Sequence, residues 1–502
     1  MKTYRSYIYL AALVFGLSAC NKQLNTSPTN AVQEEIVLKS VANLSALYEG
    51  SWRALMDDFY ADIFGNPGFK TLTLVSEAMG DDVNLITTKY SFAPVYQFTQ
   101  MVDKTQSRNN AIWNQLYKII NSTNIIITNV DKATGDSTAK KVLKGQALAL
   151  RAQLYLTIAS FYQFSYLKDP NAKTAPITTT PATTTTTGNP KATLKDIYTL
   201  VFSDLQDAKG LLEGYQRTAK YKIDKDVVNG LLARAYLNTG QWLAAATAAN
   251  DALKNYPLMA PADYTKGFND VNNSEWIWGH PETPSQSDGS YSFNFLDVSS
   301  ASSGYYSFMA DPFFGDLFDN GDIRKTLFSW DPNPGREGYL QYKKFRFRAD
   351  NTGDLVLMRS AEAYLIKAEG YARENNITEG AAALNALRTA RGAATFDPAG
   401  ATQQQLIDAI LIERRKELWG EGFALADIIR NQLPVVRNPY VDGSGAGKKV
   451  TITQTDGTVK TVAIQYHTAL KFADGTPFVA NSPNYLFTIP QTEEQNNPNL
   501  FN

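Results

Sequence analysis

The chain is 502 residues long, 44% of them apolar, and its formal net charge is −1. That apolar content is enough for a large core, while the near-zero charge excludes the basic surface that nucleic-acid binding requires. With two histidines, His280 and His467, and one cysteine, Cys20, the chain is poorly supplied for zinc, haem or thiol chemistry. We therefore predict no nucleic-acid partner, no metal site and no cofactor.

The N-terminus has the pattern of an export signal. It reads MKTYRSYIYLAALVFGLSACNK, with Lys2 and Arg5 before an apolar stretch that is too short to span a membrane. The ending LSAC resembles the bacterial lipobox, in which the cysteine is acylated and becomes the first mature residue. We predict a lipoprotein signal peptide at 1–19, lipidation at Cys20 and a flexible tether at 20–30. The alternative is an ordinary signal peptide followed by a free cysteine.

Four segments have the apolar spacing of amphipathic helices. Two of them open on capping boxes, Thr193 with Asp196 and Thr402 with Gln405, in which the side chains satisfy backbone N–H groups at the helix start. The predicted helices are 109–130, 140–164, 193–212 and 402–419.

Two further segments, 228–257 and 361–392, carry small and aromatic residues close to the positions of the 34-residue tetratricopeptide repeat. Small residues allow the two helices of a repeat to approach closely, and Gly240 supplies the turn between the helices of the first. We predict a helix pair in each segment.

The stretches between the helices have another character. Residues 178–188 are threonine-rich and predict a surface loop, while 260–355 and 434–490 are rich in small polar and aromatic residues. Strand-like pieces occur within them, SEWIWGH and YKKFRFR among them. The sequence KKVTITQTDGTVKTVAIQY predicts a hairpin whose turn contains Asp456 and Gly457.

These patterns predict a mainly α fold: a tetratricopeptide-like helical scaffold with long irregular insertions and short β-hairpins that form the ligand face. The scaffold covers about 31–260 and 355–433, and the insertions about 80–108, 260–355 and 434–490. Long ordered loops on a rigid frame are where binding sites usually lie.

The run LIERRKELWGEGFALADIIRN at 411–431 concentrates charge in a chain with few charged residues. Helical spacing places Glu413, Glu417 and Glu421 on one face, where a pair of carboxylates for glycoside hydrolysis is conceivable. The basic neighbours Arg414 and Lys416 favour an ion network instead, because nearby cations lower carboxylate pKa values. We predict a structural helix corner that Gly420 and Gly422 terminate and that Asp427 and Arg430 join.

Two other acidic motifs are weaker signals. GDD at 80–82 is interpreted as a polar loop, with ligand contact through Asp82 as the alternative. DNGD at 319–322 lacks the glutamate that closes an EF-hand loop, so we interpret it as a turn. No phosphate-binding loop or nucleophile elbow is present in the sequence.

Aromatic residues in the loops are the better binding signal. For any one ring a place in the core is favoured, and the alternation in GSYSFNF is also typical of a half-buried strand. Exposed rings stack on the apolar faces of sugars while neighbouring polar groups bind the hydroxyls. The candidate ligand-binding residues are Asp82, Tyr90, Phe92, Tyr96, Tyr291, Phe293, Tyr305, Tyr306 and Trp330.

Taken in order, the segments resemble the SusD/RagB family of outer-membrane nutrient-binding lipoproteins of Bacteroidetes. The resemblance covers nearly the whole chain, with 31–502 as one SusD-like domain. Its motifs are the lipobox, IWNQLYKIINSTNIII, GQALALRAQLYLTIASFYQF, NPKATLKDIYTLVFSDLQDA, DIRKTLF, LVLMRSAEAYLIKAEGYAR, IERRKELWGEGFALADIIRN and YLFTIPQTEEQNNPNL.

The resemblance implies a non-enzymatic, lipid-anchored protein on the outer surface of the outer membrane. It implies capture of oligosaccharides and their delivery to a SusC-like TonB-dependent transporter. Two alternatives stay open: a peptide-capturing RagB-like protein on the same scaffold, and an exported glycosidase. The glycosidase needs two carboxylates about 5–10 Å apart across a cleft.

Overall fold

The protein is mainly helical in a computed structural model that describes residues 38–56, 68–86, 92–285, 291–300 and 303–502. The predicted signal peptide, Cys20 and Tyr90 lie outside the described residues. The α-helices are α1 Val41–Leu55, α2 Lys70–Ala78, α3 Ala93–Tyr96, α4 Ser107–Asn129, α5 Ser137–Phe161, α6 Leu194–Leu211, α7 Lys225–Asn238, α8 Trp242–Leu253, α9 Pro261–Tyr264, α10 Phe293–Leu296, α11 Pro312–Gly315, α12 Ser360–Arg373, α13 Ile377–Ala390, α14 Gln403–Leu418, α15 Ala424–Arg430 and α16 Gln491–Asn496.

The four predicted amphipathic helices are present as α4, α5, α6 and α14, with ends that differ from the prediction by one to three residues. Both predicted capping boxes are confirmed. The Thr193 hydroxyl accepts from the Asp196 N–H at 3.0 Å, and the Thr402 hydroxyl accepts from the Gln405 N–H at 3.2 Å. The helices therefore begin where local side chains satisfy their first N–H groups.

The two predicted helix pairs are confirmed as α7 with α8 and α12 with α13. Gly240 makes the turn of the first pair with a φ of 74°, a left-handed conformation that glycine adopts without strain. α12 also packs on α8, and at Gly370 a β-carbon would lie 2.5 Å from the Trp242 carbonyl oxygen. Small residues are therefore what allows these helices to approach.

The strands are short and lie mostly between the helices: β1 Val83–Leu85, β2 Lys173–Pro176, β3 Lys191–Thr193, β4 Trp276–His280, β5 Phe308–Ala310, β6 Phe328–Trp330, β7 Leu340–Tyr342, β8 Leu355–Arg359, β9 Lys449–Thr453 and β10 Val459–Ala463. The largest sheet has the antiparallel order β1–β5–β7–β6. It joins residues from the predicted insertions at 80–108 and 260–355. Three two-stranded pairs, β2–β3, β4–β8 and β9–β10, complete the described sheets.

Two strand predictions are confirmed and one is wrong. SEWIWGH contains β4, and the predicted hairpin is β9–β10, with Gly457 in its turn at a φ of 84°. YKKFRFR is not a strand beyond Tyr342. The chain leaves the sheet there because the Lys344 ammonium group turns inward and donates to the carbonyls of Glu417 and Trp419 at 2.8 and 2.7 Å.

The buried apolar side chains form one large core that extends from α1 to the C-terminal segment, and a smaller one where α12, α13 and α14 meet. The threonine-rich stretch 178–188 lies largely at the surface, as predicted. Among the residues that the structure describes, no helix has both the length and the apolar character needed to cross a bilayer.

Candidate functional site

The charged run at 411–431 folds into a helix corner. α14 ends at Leu418, and the chain turns through Gly420 and Gly422, whose φ values of 80° and 91° are left-handed, before α15 begins. Glu77 holds this turn from α2, because its carboxylate accepts the N–H groups of Gly420 at 3.0 Å and Gly422 at 2.8 Å. The two glycines end the helix as predicted.

The glutamates of this corner lie inside the protein, among arginines from distant segments. Glu417 pairs with Arg324, Arg359 and Arg391 at 2.7, 2.6 and 2.8 Å. Glu413 pairs with Arg324 at 2.6 Å, and Glu421 with Arg359 at 2.7 Å. The guanidinium groups lie between the three carboxylates, so the mutual repulsion expected from their spacing is screened.

The predicted partners within the run are wrong in detail. Arg414 pairs with Asp427 at 2.8 Å and Lys416 with Asp322 at 2.9 Å, so neither reaches a glutamate of α14 as an ion pair. Asp427 and Arg430 do pair with each other, at 3.0 Å. Helical spacing alone does not reveal which of several cations is nearest once distant segments pack on the helix.

The chemistry of the corner is that of a structural network. Burial alone would raise the pKa of Glu417, but Arg391, Arg359 and Arg324 together hold it well below the ordinary value. A carboxylate held in its charged form at neutral pH cannot serve as the general acid of a glycosidase. The structural interpretation of the charged run is therefore confirmed.

The two weaker acidic motifs are also engaged in ion pairs. Asp82 is buried and accepts from the Arg415 guanidinium at 3.1 and 2.5 Å. Asp322 pairs with Arg324 at 2.7 Å and caps a 3-10 helix, Ile323–Leu327, as the turn interpretation expects. Within the described ranges, no cluster of three or more His, Cys, Asp or Glu side chains is arranged to hold a metal ion.

Asp311 is a buried acid beside this region. Burial raises the pKa of Asp311 to about 7, although the Phe313 N–H donates to the carboxylate at 3.0 Å. The other carboxylate oxygen has no hydrogen-bond partner, and the His467 ring nitrogen Nε2 lies 3.5 Å from it. Because the Asp311 side chain is almost fully buried, it does not present its proton to solvent.

Four of the predicted ligand-binding rings lie in the core. Phe92 packs edge-on against Phe295, with 4.9 Å between ring centroids, and Tyr291 lies 5.1 Å from the same ring. The Phe293 ring packs over Gly353. Phe293 begins the short helix α10 and Tyr291 lies just before that helix, so the described part of GSYSFNF, 291–295, is not a strand. With at most 2% of each side chain exposed, these rings pack against protein.

Tyr96 is the fourth of these rings, and its hydroxyl is fully engaged. It lies 2.7 Å from His467 Nδ1 and accepts from the Thr468 N–H at 3.2 Å. The Arg437 guanidinium lies 4.2 Å from the ring centroid and donates to the Tyr96 carbonyl at 2.8 Å. Tyr96 therefore ties the segment after α2 to the C-terminal part of the chain.

Three predicted rings are half-buried and lie near the four-stranded sheet: Tyr305, Tyr306 and Trp330. Tyr305 packs against Phe295 at 4.7 Å, and Trp330 ends β6 at the edge of the sheet. Tyr306 adopts a left-handed φ of 34°, which is unusual for a residue with a side chain.

Arg336 is a polar neighbour of this group that the sequence did not indicate. Its guanidinium lies 4.0 Å from the centroid of the Tyr306 ring and pairs with buried Asp331 at 3.0 Å. Arg336 lies in the loop between β6 and β7, 30 residues after Tyr306. The β6–β7 hairpin joins the segment of Tyr306 through the pairing of β5 with β7, and the sequence gives no local signal for that pairing.

Comparison with known families places two parts of the chain in one group. Residues 39–237 match SusD-like_3, described as starch-binding associating with outer membrane. Residues 335–502 match SusD_RagB, the SusD family. No curated protein matches the chain at a significant level.

Solved structures agree with this grouping over nearly the full length. A SusD-like carbohydrate binding protein from Bacteroides vulgatus is 41% identical, with a TM-score of 0.85 over 92% of this chain and 98% of that one. SusD superfamily proteins from Bacteroides thetaiotaomicron (23% identical, TM-score 0.73, 92% and 99% covered) and Parabacteroides distasonis (18% identical, TM-score 0.70, 91% and 98% covered) share the fold. The chain, with its helical scaffold and its long irregular insertions, belongs to the SusD family.

Proposed function

We propose that this protein is a non-enzymatic lipoprotein of the cell surface that captures oligosaccharides and delivers them to a SusC-like TonB-dependent transporter. The observation that carries the proposal is the 41% identity, over almost all of both chains, with a protein described as carbohydrate binding. At that identity, and with a TM-score of 0.85, the fold is shared, so a common class of ligand is the simplest inference.

The half-buried rings support a carbohydrate ligand. Tyr305, Tyr306 and Trp330 lie beside one sheet, and an aromatic ring that keeps part of its surface open offers a flat apolar platform to a sugar ring. Arg336 on Tyr306 adds hydrogen-bond donors next to such a platform. We propose this group as the ligand face, together with Tyr90, which lies outside the described residues.

The proposed location rests on two observations. The N-terminal LSAC motif predicts acylation of Cys20, and the SusD-like family that matches residues 39–237 is described as associating with the outer membrane. A binding protein at that surface contributes to uptake only when it passes its ligand to a pore. A TonB-dependent barrel is therefore the proposed partner.

The test measures binding of purified protein to a panel of oligosaccharides by titration calorimetry. Tyr306→Ala and Trp330→Ala are expected to weaken binding about 5- to 100-fold, as the loss of one large buried apolar contact does. Tyr236→Ala is the matched control, because Tyr236 is a half-buried ring on the helical scaffold, in α7. The affinity of the Tyr236→Ala variant for oligosaccharide is expected to stay within twofold of that of wild type.

Other outcomes would redirect the proposal. Binding of peptides and of no oligosaccharide would favour the peptide-capturing alternative on the same scaffold. Release of reducing ends by the purified protein would favour the glycosidase. Equal weakening by Tyr306→Ala and Tyr236→Ala would show that the proposed ligand face is not where the sugar binds.

A further inference from the structure

A groove bordered by exposed apolar side chains lies on the helical scaffold, at the corner between α14 and α15. It has a volume of about 460 Å³ and is closed on one side by the segment that follows α15. Three residues on its border are exposed although they are aliphatic: Ile412 at 38%, Leu433 at 42% and Val436 at 53%. Exposed aliphatic residues gathered around one groove are typical of an interaction surface.

The groove has one exposed acid. The other four carboxylates of its lining are engaged inside the protein: Asp427 pairs with Arg414, Asp82 pairs with Arg415, Glu77 accepts the N–H groups of Gly420 and Gly422, and Asp81 accepts the Val436 N–H. Asp408 is exposed and accepts a hydrogen bond from the Gln404 amide at 2.7 Å, which leaves its charge uncompensated. An occupant with a basic side chain complements Asp408.

The lining does not suit a sugar. Trp419 is buried, and the Phe423 ring has the guanidinium carbons of Arg234 and Arg414 at 5.4 and 5.7 Å from its centroid. Trp419, the larger ring, therefore has no open face on which a sugar could stack. Aliphatic side chains beside one exposed acid instead match the apolar anchors and the basic residue of a protein segment.

We propose that this groove binds a segment of the transporter in which apolar side chains lie next to a lysine or arginine. The proposal rests on the proposed function, which supplies the transporter as partner, and adds the surface that holds it. Tyr305, Tyr306 and Trp330 do not line the groove, so docking of the partner and binding of the sugar use different residues.

The test compares charge-bearing substitutions at exposed positions. Ile412→Arg and Val436→Arg place a cation where the basic side chain of the partner would lie, and Asp408→Asn removes an attractive charge. Leu243→Arg is the matched control, since Leu243 is an exposed aliphatic residue on α8. Each variant carries an affinity tag and is purified in mild detergent from cells that produce the transporter.

The expected result is a loss of about tenfold in co-purified barrel for Ile412→Arg and Val436→Arg, and none for Leu243→Arg. Asp408→Asn is expected to make the remaining association less sensitive to salt. The purified variants are expected to match wild type in thermal unfolding, because the substituted residues are exposed. Their affinity for oligosaccharide is also expected to match, because the proposed ligand-binding rings do not line the groove.

A photo-crosslinking amino acid at position 412, and at 243 as control, identifies the occupant directly. A crosslink from 412 to the barrel supports the proposal, whereas a crosslink to a second copy of this protein or to nothing overturns it. If both arginine variants recover as much barrel as wild type does, the groove is not the docking surface, while the transporter stands as the partner. Wild-type protein that purifies without any barrel, yet binds sugar, overturns the transporter partner and the groove assignment with it, while sugar capture stands.

Discussion

Glu417 and Arg391 form an ion pair deep in the protein, with 2.8 Å between Oε1 and Nη2 and neither side chain exposed to solvent. Arg391 follows α13, and it also donates to Glu275, just before β4, at 2.9 Å. A single guanidinium group thus joins the helix corner to the strand pair β4–β8. The corner is thereby tied to the insertion that contains the proposed ligand face.

We predict that Glu417→Gln destabilises the protein by about 3–5 kcal/mol, because removal of one partner leaves buried guanidinium charge uncompensated. That cost is a large fraction of the stability of an ordinary domain. The free energy of unfolding is measured by urea titration at pH 7, with ellipticity as the signal.

Glu213→Gln is the matched control for this prediction. Glu213 pairs with Lys225 at 2.6 Å but is largely exposed, so its substitution is expected to change the free energy of unfolding by less than about 1 kcal/mol. Equal effects of the two substitutions would contradict the structural role assigned to the buried network.

Much of the frame could be predicted because its signals are local. Thr193 and Asp196 are three residues apart, so a capping box is visible in the sequence, and Gly240 marks a turn between two helices. The hairpin β9–β10 is likewise predicted by an Asp-Gly turn between two segments in which apolar and polar residues alternate. In each of these patterns, residues that are close in the sequence determine the local structure without a contact from a distant segment.

The partners and the exposure of side chains could not be predicted in this way. Glu417 has charged neighbours in its own helix, yet its ion pairs are with arginines at 324, 359 and 391. Phe92 and Tyr306 are both aromatic residues in polar loops, but one is buried and the other half-exposed. Which ring faces solvent depends on how distant segments pack, and no local pattern encodes that.

We predict that Gly370→Ala destabilises the protein by about 1–3 kcal/mol, because the added methyl group would lie 2.5 Å from the Trp242 carbonyl oxygen and force α12 away from α8. Gly210→Ala is the control, in an exposed part of α6 where no atom beyond the neighbouring residues and the backbone of the same helix lies within 4 Å of the added carbon. It is expected to stabilise the helix by up to about 1 kcal/mol. The melting temperatures of both variants are measured against wild type. A higher melting temperature for Gly370→Ala would show that the close packing of α8 and α12 is not required.

We predict that the stability conferred by Asp311 falls as pH rises. Burial raises the pKa of Asp311 to about 7, so the folded state keeps a proton that the unfolded state releases near pH 4. Between those values the folded state binds more protons, and its stability therefore decreases with rising pH until about pH 7. Asp311→Asn keeps the acceptor for the Phe313 N–H without the charge, and it is expected to be more stable than wild type at pH 8 by a few kcal/mol.

The measurement is the difference in unfolding free energy between Asp311→Asn and wild type at pH 5, 6, 7 and 8, in which titrations common to both proteins cancel. The titratable and charged groups that face Asp311 include His467, Asp82, Arg437, Arg415 and Tyr440. Burial, together with the nearby Arg437, holds the pKa of His467 well below its ordinary value and so favours the neutral form of this histidine. A difference that does not change with pH would contradict the raised pKa.

We predict that Cys20 anchors the protein to the membrane through acyl chains. Each buried methylene contributes about 0.8 kcal/mol, so two or three chains hold a protein stably where one does not. Cys20→Ala is expected to lose incorporation of a labelled palmitate analogue, whereas Ser27→Ala, in the predicted tether, keeps it.

Membrane fractionation is the second measurement. Docking to the barrel could hold unlipidated protein at the membrane, so Cys20→Ala is fractionated both alone and in combination with Ile412→Arg. Release of the double variant by a high-salt wash is expected, and a wild-type protein that takes up no label would show that lipidation is not the anchor.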